Sequence, residues 1–305
     1  MTRDAIKAEP ELDPEPGSYP GERLTWKLGH RSLDMDRPRV MAILNLTPDS
    51  FSDGGELPTL DRALERAESF VSAGADILDV GGESTRPGAP DVDLDEERNR
   101  ILPFIREAAD RFDIPISVDT RKVGMARWAV DAGATIVNDV SGLTHDPEMA
   151  AFVADAGVGI VLMHMRGTPE TMESRADYVD VTGEVVGELL ERVDVARKAG
   201  IADARIVLDP GIGFAKTADQ SLTVLRDLRR IVELGFPVLV GPSRKSFLGA
   251  VLGVPAEQRL EGTLAACAAA HARGARIFRV HDVEPAVRLL KVLEAVRRGG
   301  VEDAP

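Results

Sequence analysis

The chain has 305 residues, 44% of them hydrophobic and only 4% aromatic, and a formal net charge of −14. That excess of carboxylates repels nucleic acid and anionic membranes, so neither is expected as a partner, and no apolar run approaches the ~18 residues of a membrane helix. A single cysteine, Cys267, excludes an intrachain disulfide, and the five histidines show no zinc-ligand spacing.

Residues 1–23 are acidic and Pro-rich without an apolar signal core, so they read as a disordered lead-in rather than a secretory leader, and the protein is expected in the cytoplasm. Leu24 to Leu33 reads as a short β-hairpin turning at Gly29-His30. A rhythm of apolar strand and amphipathic helix then runs to residue 298 as one domain, with 299–305 as a flexible tail. Strands are expected at Val40–Leu44, Ile77–Val80, Ile116–Val118, Ile136–Val137, Gly159–Met163, Ile206–Leu208, Val238–Val240 and Ile277–Phe278. Helices are expected at Leu60–Ala73, Leu94–Phe112, Lys122–Ala132, Pro147–Ala156, Val181–Ala199, Gln220–Leu234, Thr263–Arg273 and Glu284–Arg297. Val181, Val185, Leu189 and Val193 recur at i+4, and Asp93 with Glu96 forms a capping-box pattern. Eight strand–helix units in series predict a (β/α)8 TIM barrel preceded by the hairpin. The alternative is a doubly wound sheet with extra helices.

In such a barrel chemistry gathers at the C-terminal strand ends. Here those ends carry Asn45, Asp79 with the loop GGESTRPG, Asp119, Asn138 with Asp139, Met163 with His164, Asp209, Ser243–Ser246, and Arg279–Asp282. Each has a bland reading as a helix cap or turn former. As a set they predict one polar mouth, on the premise that they are the only polar residues near the core. Asp119, Asn138 and Asp209, with Lys245 as donor, match a planar heterocycle rich in N–H groups, a pterin or purine. Asp119 and Asp209 as an acid–base pair is the competing reading.

Arg86, Arg244, Lys245, Arg279 and His281 fall on the same side and form a local anion site, since screening limits the bulk charge beyond about 8 Å. Arg279 and His281, two apart on an extended segment, point the same way and suit a diphosphate. The loop NLTPDSFSDGGE, with Asp49 and Asp53, reads as a mobile lid, and Asn45 at its base offers a hard oxygen to a Mg²⁺ bridging substrate phosphates. Phe51 and Phe214 could sandwich a ring, although a lone Phe is more often a core residue.

The segments NLTPDSFSDGG, DVGGESTRPGA, SVDT, IVNDVSG, LMHMRGTPETM, LDPGIGFAK, GPSRKSFLG and RVHDV, in this order between about Val40 and Val296, resemble the dihydropteroate synthases of the folate pathway. The resemblance implies a TIM barrel, commonly a homodimer, that joins 6-hydroxymethyl-7,8-dihydropterin diphosphate to 4-aminobenzoate. It assigns the pterin to Asp119, Asn138, Asp209 and Lys245, the diphosphate to Thr85, Arg279 and His281, and the metal contact to Asn45. It assigns the aminobenzoate, the position taken by sulfonamides, to Phe214, Pro87, Lys245 and Ser246. Arg86 and Met163 complete the expected binding set, and Asp53, Lys245 and Arg279 are the expected catalytic residues of an SN1-like loss of diphosphate. A pterin-dependent methyltransferase with a corrinoid partner and a non-catalytic pterin-binding homologue are the rival functions.

Overall fold

In the computed structural model the described residues are 24–47, 59–86 and 88–301. The readings of the lead-in, of the lid with Asp49, Phe51 and Asp53, of Pro87 and of residues 302–305 lie outside them.

The hairpin comes first: β1 (Thr25–Leu28) and β2 (Arg31–Asp34) pair antiparallel, Trp26 opposite Leu33. Eight parallel strands follow among the described residues: β3 (Arg39–Asn45), β4 (Ile77–Gly81), β5 (Ile116–Asp119), β6 (Ile136–Asp139), β7 (Gly159–Met163), β8 (Ile206–Asp209), β9 (Leu239–Val240) and β10 (Ile277–Val280). Neighbours in sequence pair from β3 to β8, while β10 pairs with both β3 and β9. A parallel bridge between Leu208 and Val238 joins the two remaining edges, so the sheet closes. The expected barrel is what forms, and the doubly wound alternative falls.

The helices are α1 (Leu60–Ser72), α2 (Leu94–Arg111), α3 (Val123–Asp131), α4 (Met149–Ala156), α5 (Val181–Lys198), α6 (Ala218–Arg226), α7 (Arg229–Val232), α8 (Ser246–Leu252), α9 (Leu260–His271) and α10 (Val283–Arg298). Three readings need correction. The helix expected over Gln220–Leu234 is split into α6 and α7, and α8 was not expected, because seven residues are too few to show a period. At α2, Asp93 does cap by accepting from the Asp95 amide at 2.9 Å, but Glu96 pairs with Arg100 instead of reaching back. A reciprocal capping box forms at Thr217 and Gln220.

Strand alternation sorts side chains into two cores. Outward residues such as Leu44, Val80, Val118, Leu162, Leu208 and Phe278 pack under the helices. Inward residues Met41, Ile77, Ile136, Val161, Val207, Leu239 and Ile277 form a separate cluster with Trp26 and Leu28, so the hairpin plugs the barrel floor. Gly159 permits this plug, since a Cβ there would sit 2.5 Å from Leu28 Cδ2 and 3.1 Å from Trp26 Nε1. The indole stays satisfied by donating to the Arg205 carbonyl at 2.8 Å. Each such side chain, fully buried, is worth ~1.5–3 kcal/mol.

Candidate active site

Two residues above the floor the inward positions change character: Ile77 is followed by Asp79, Ile136 by Asn138, Val161 by Met163, Val207 by Asp209 and Ile277 by Arg279. The register sets Asn138 beside Asp119 and Met163 beside Asp209. Arg279 ties them together. Its Nε donates to Asp79 Oδ2 and its Nη2 to Asp119 Oδ2, both at 2.6 Å. Asn138 Nδ2 stands 3.3 Å from Asp79 Oδ2, while Asp209 Oδ1 accepts from the Gly211 amide at 2.7 Å. Asp119 Oδ1 is buried and has no hydrogen-bond partner, which is costly unless a ligand donor meets it.

Burial raises both carboxyls despite the cations nearby: Asp119 goes up to about 7 against the pull of Arg279, and Asp209 up to about 6. Burial and Arg279 push Lys245 down to about 7. Its Nζ sits 3.7 Å above the Phe214 ring. Burial, Arg279 and Arg244 hold His281 down at about 3, so its imidazole is neutral at physiological pH and offers an N–H rather than a charge.

These groups underlie a cavity of about 650 Å³ lined by Asn45, Thr85, Arg86, Phe214, Lys245, Ser246, Arg279 and His281, together with Arg66, Arg244 and Arg259. Every described residue of the expected site is therefore at the mouth: some line the cavity, and Asp119, Asn138, Met163 and Asp209 are buried among the strand ends. Asp53 and Pro87 lie outside the described residues. A hollow of about 400 Å³ beside α2 and Trp128 contains none of the strand-end groups.

Some readings change in detail. Arg244 is held by Asp282 at 2.6 Å, so it is a partly neutralised member of the anion cluster. Asp139 does not face the mouth chemistry; it staples its own turn by accepting from the Ser141 and Leu143 amides, each at 2.8 Å. The strand ends are not the only buried polar groups, since Asp76, Glu97, Thr182, His271, Arg276 and Glu294 are buried elsewhere. Supporting residues were missed as well. Glu83 holds Arg121 and Lys122 and so anchors the loop bearing Thr85 and Arg86. Arg259 donates to the carbonyls of Arg244 and Lys245 at 3.0 and 3.2 Å, steadying a turn in which Arg244 has φ 58°. An isolated Arg fourteen residues after Lys245 carries no signal of that contact.

For a metal, the donor set is sparse. Among the described residues no group of three or more His, Cys, Asp or Glu is gathered. Asn45 lines the cavity, and its Oδ1 faces Gly81 beside Asp119. A lone amide oxygen fits a hard ion that keeps most of its ligands as water and substrate phosphate.

Comparison with known proteins adds the family. The model of the pterin binding enzymes matches residues 41–281. The dihydropteroate synthase of Synechocystis is 51% identical over 263 residues, covering 86% of this chain and 91% of that protein. The Xanthomonas albilineans dihydropteroate synthase solved with 4-aminobenzoic acid superposes with a TM-score of 0.85 at 43% identity, covering 93% of this chain and all of that one. The same enzyme in complex with 7,8-dihydropteroate gives a TM-score of 0.81 at 41% identity, over 92% of this chain and all of that one. The matched span runs from β3 through the polar mouth to His281 just beyond β10, and on that ground the chain belongs to the pterin-binding enzyme family.

Proposed function

We propose that this chain is a dihydropteroate synthase, condensing 6-hydroxymethyl-7,8-dihydropterin diphosphate with 4-aminobenzoate to give 7,8-dihydropteroate and diphosphate in folate biosynthesis. The observation that carries the reading is the buried acceptor set of Asp119, with its unpartnered oxygen, Asp209 and Asn138, beneath a cavity rimmed by cations. A pterin supplies the N–H donors that such a set lacks, and its diphosphate suits the rim. Relatives of high identity bear this name, and a neighbouring structure holds the product.

In the mechanism the C–O bond between the pterin methylene and the diphosphate breaks first, the electron pair leaving with the diphosphate. Arg279 and the His281 N–H stabilise the leaving group. The cation left on the methylene is delocalised over the ring and sits close to Asp119 and Asp209. Lys245 holds the ring; its lowered pKa lets it do so without a full positive charge beside that cation. The arylamine nitrogen, held between Phe214, Lys245 and Ser246, forms the new C–N bond and sheds its proton to water. Asn45 would hold Mg²⁺, which when bound neutralises phosphate charge. Asp53 in the first loop is assigned to support the cation, Thr85 and Arg86 to the diphosphate side, Pro87 to the aminobenzoate border and Met163 to the pterin.

The reading includes a homodimer, supported by exposed Val292 and Val296 on α10 and Val251 on α8, and a cytoplasmic location, since a diphosphate ester does not cross membranes unaided. The test is a diphosphate-release assay with both substrates, with and without Mg²⁺. Stoichiometric diphosphate and dihydropteroate support the proposal. Pterin binding without release would identify a non-catalytic homologue, and methyl transfer to a corrinoid would identify the methyltransferase.

A further inference from the structure

Lys216 is a buried basic side chain that the mechanism leaves unused. It ends a turn in which three residues out of five have left-handed backbone, Gly211 at φ 64°, Gly213 at 79° and Ala215 at 47°. Left-handed geometry is unfavourable for an alanine, whose Cβ crowds the following carbonyl oxygen, so the turn needs a compensating hold. Gly211 is also pressed against its neighbour, since a Cβ there would collide with the His164 carbonyl.

The hold is Lys216 Nζ, whose pKa burial pushes down to about 7. Nζ has three partners: it donates to the Gly211 and Phe214 carbonyls, both at 3.1 Å, and lies 2.8 Å from His164 Nδ1. His164 Nε2 lies 3.1 Å from Glu188 Oε2, and Arg166 donates to Glu188 Oε1 at 2.9 Å. The bonds from His164 and Arg166 hold Glu188 down at about 2, and burial, reinforced by Lys216, holds His164 down at about 4. A neutral His164 therefore carries its proton on Nε2, toward Glu188, and presents the Nδ1 lone pair to Lys216. The line Lys216–His164–Glu188–Arg166 ties the β8–α6 turn to the β7–α5 loop and to α5.

The two things this turn sits beside are held differently. Asp209 is fixed by the barrel, because its carbonyl accepts from the His164 amide at 2.9 Å as part of the β7–β8 pairing. Phe214 lies out on the turn, with its carbonyl on Lys216 and its ring under Lys245 Nζ. We propose that Lys216, set by His164 and Glu188, is a positioning residue for the arylamine: it locks Phe214 against the cavity and so governs 4-aminobenzoate recognition, leaving pterin recognition to the strand ends. This rests on the synthase reading for the identity of the second substrate.

The test is Lys216→Met in the full chain. Expected are a rise of tenfold or more in KM for 4-aminobenzoate, kcat within threefold of wild type, and a calorimetric Kd for the pterin diphosphate within threefold. An unchanged KM, or all three constants worsening together, would overturn the proposal. His164 supplies a second pair should Lys216→Met not fold. Asn carries an oxygen where Nδ1 stood, so His164→Asn is expected within threefold of wild type and His164→Leu to reproduce the KM rise; equal behaviour of the two would also overturn it. Amide hydrogen exchange reads the brace without turnover. In Lys216→Met, residues 211–216 should exchange at least tenfold faster while 206–209 keep wild-type rates, and unaltered exchange in the turn sinks the idea. A wild-type protein that releases no diphosphate counts against the synthase reading, whereas exchange still decides whether Lys216 locks the turn.

Discussion

At the floor of the barrel Ile77, Ile136, Val207 and Ile277 close under Trp26 and Leu28; one inward step along the same strands, Asp79, Asn138, Asp209 and Arg279 stand at the mouth. The backbone is the same ladder in both places. What differs is the cover. The hairpin seals the floor, so apolar groups there gain from exclusion of water, while the mouth is left for a ligand and its polar groups hold one another at a cost. Asp119 and Asp209 have raised pKa values and Asp119 Oδ1 lacks a partner. The floor stabilises the fold; the mouth draws on that stability to keep unsatisfied acceptors in place.

The sharpest way to break this contrast is Arg279→Met, which strips the counter-ion from Asp79 and Asp119. Breaking such a buried pair is expected to cost about 3–5 kcal/mol in urea unfolding and to lower kcat/KM about 10³-fold. Little change in either quantity would mean that Arg279 does not organise the mouth. Trp26→Ala attacks the other end. It should cost about 3 kcal/mol of stability, yet leave kcat/KM at 25 °C within threefold, because the plug touches no substrate; a large loss of activity in folded protein would show the two ends to be coupled. Smaller is Asp209→Asn, expected to weaken pterin diphosphate about 10–100-fold by calorimetry, as for a lost charged hydrogen bond, with KM for 4-aminobenzoate within threefold.

The pH dependence sharpens the same point. An ionised Asp209 is needed to accept pterin N–H groups, so its part of the affinity should hold above about pH 6 and fall up to ~tenfold per unit below it. Asp209→Asn should remove that part of the acid limb. For folding of the free protein the sign reverses. The raised values of Asp119 and Asp209 favour the protonated acids in the native state, so their contribution is full below the ordinary carboxylate range and is lost as pH rises through about 6 to 7. A ligand-free protein whose stability climbed over that interval would contradict the burial assigned to these groups.

Much of this was legible in the residues. Apolar runs ending in Asp79, Asp119, Asn138 and Asp209 announce buried strands with polar tips, and the regular return of helical periodicity announces the barrel. The long motifs carry the family, because SVDT, LDPGIGFAK and GPSRKSFLG combine turn glycines with the residues that face the cavity. Other features were out of reach. α8 is too short to show a period, Asp139 looks like Asn138 until the pleat turns it to the other side, and the ion pair that occupies Arg244 depends on Asp282, thirty-eight residues away. Arg259 and Glu83 act on loops that only the closed ring brings to them.

The sequence by itself determined the order and type of the eight strand–helix units, the hairpin, and the chemical kind of each strand tip, because backbone period, turn chemistry and side-chain type are local. Tertiary structure alone decided that the hairpin is the floor, that Arg279 is shared between Asp79 and Asp119, and that Lys216 reaches His164. Those outcomes depend on register and ring closure, which set residues up to 200 positions apart within hydrogen-bonding distance, and on burial, which shifts their protonation only once the barrel has excluded water.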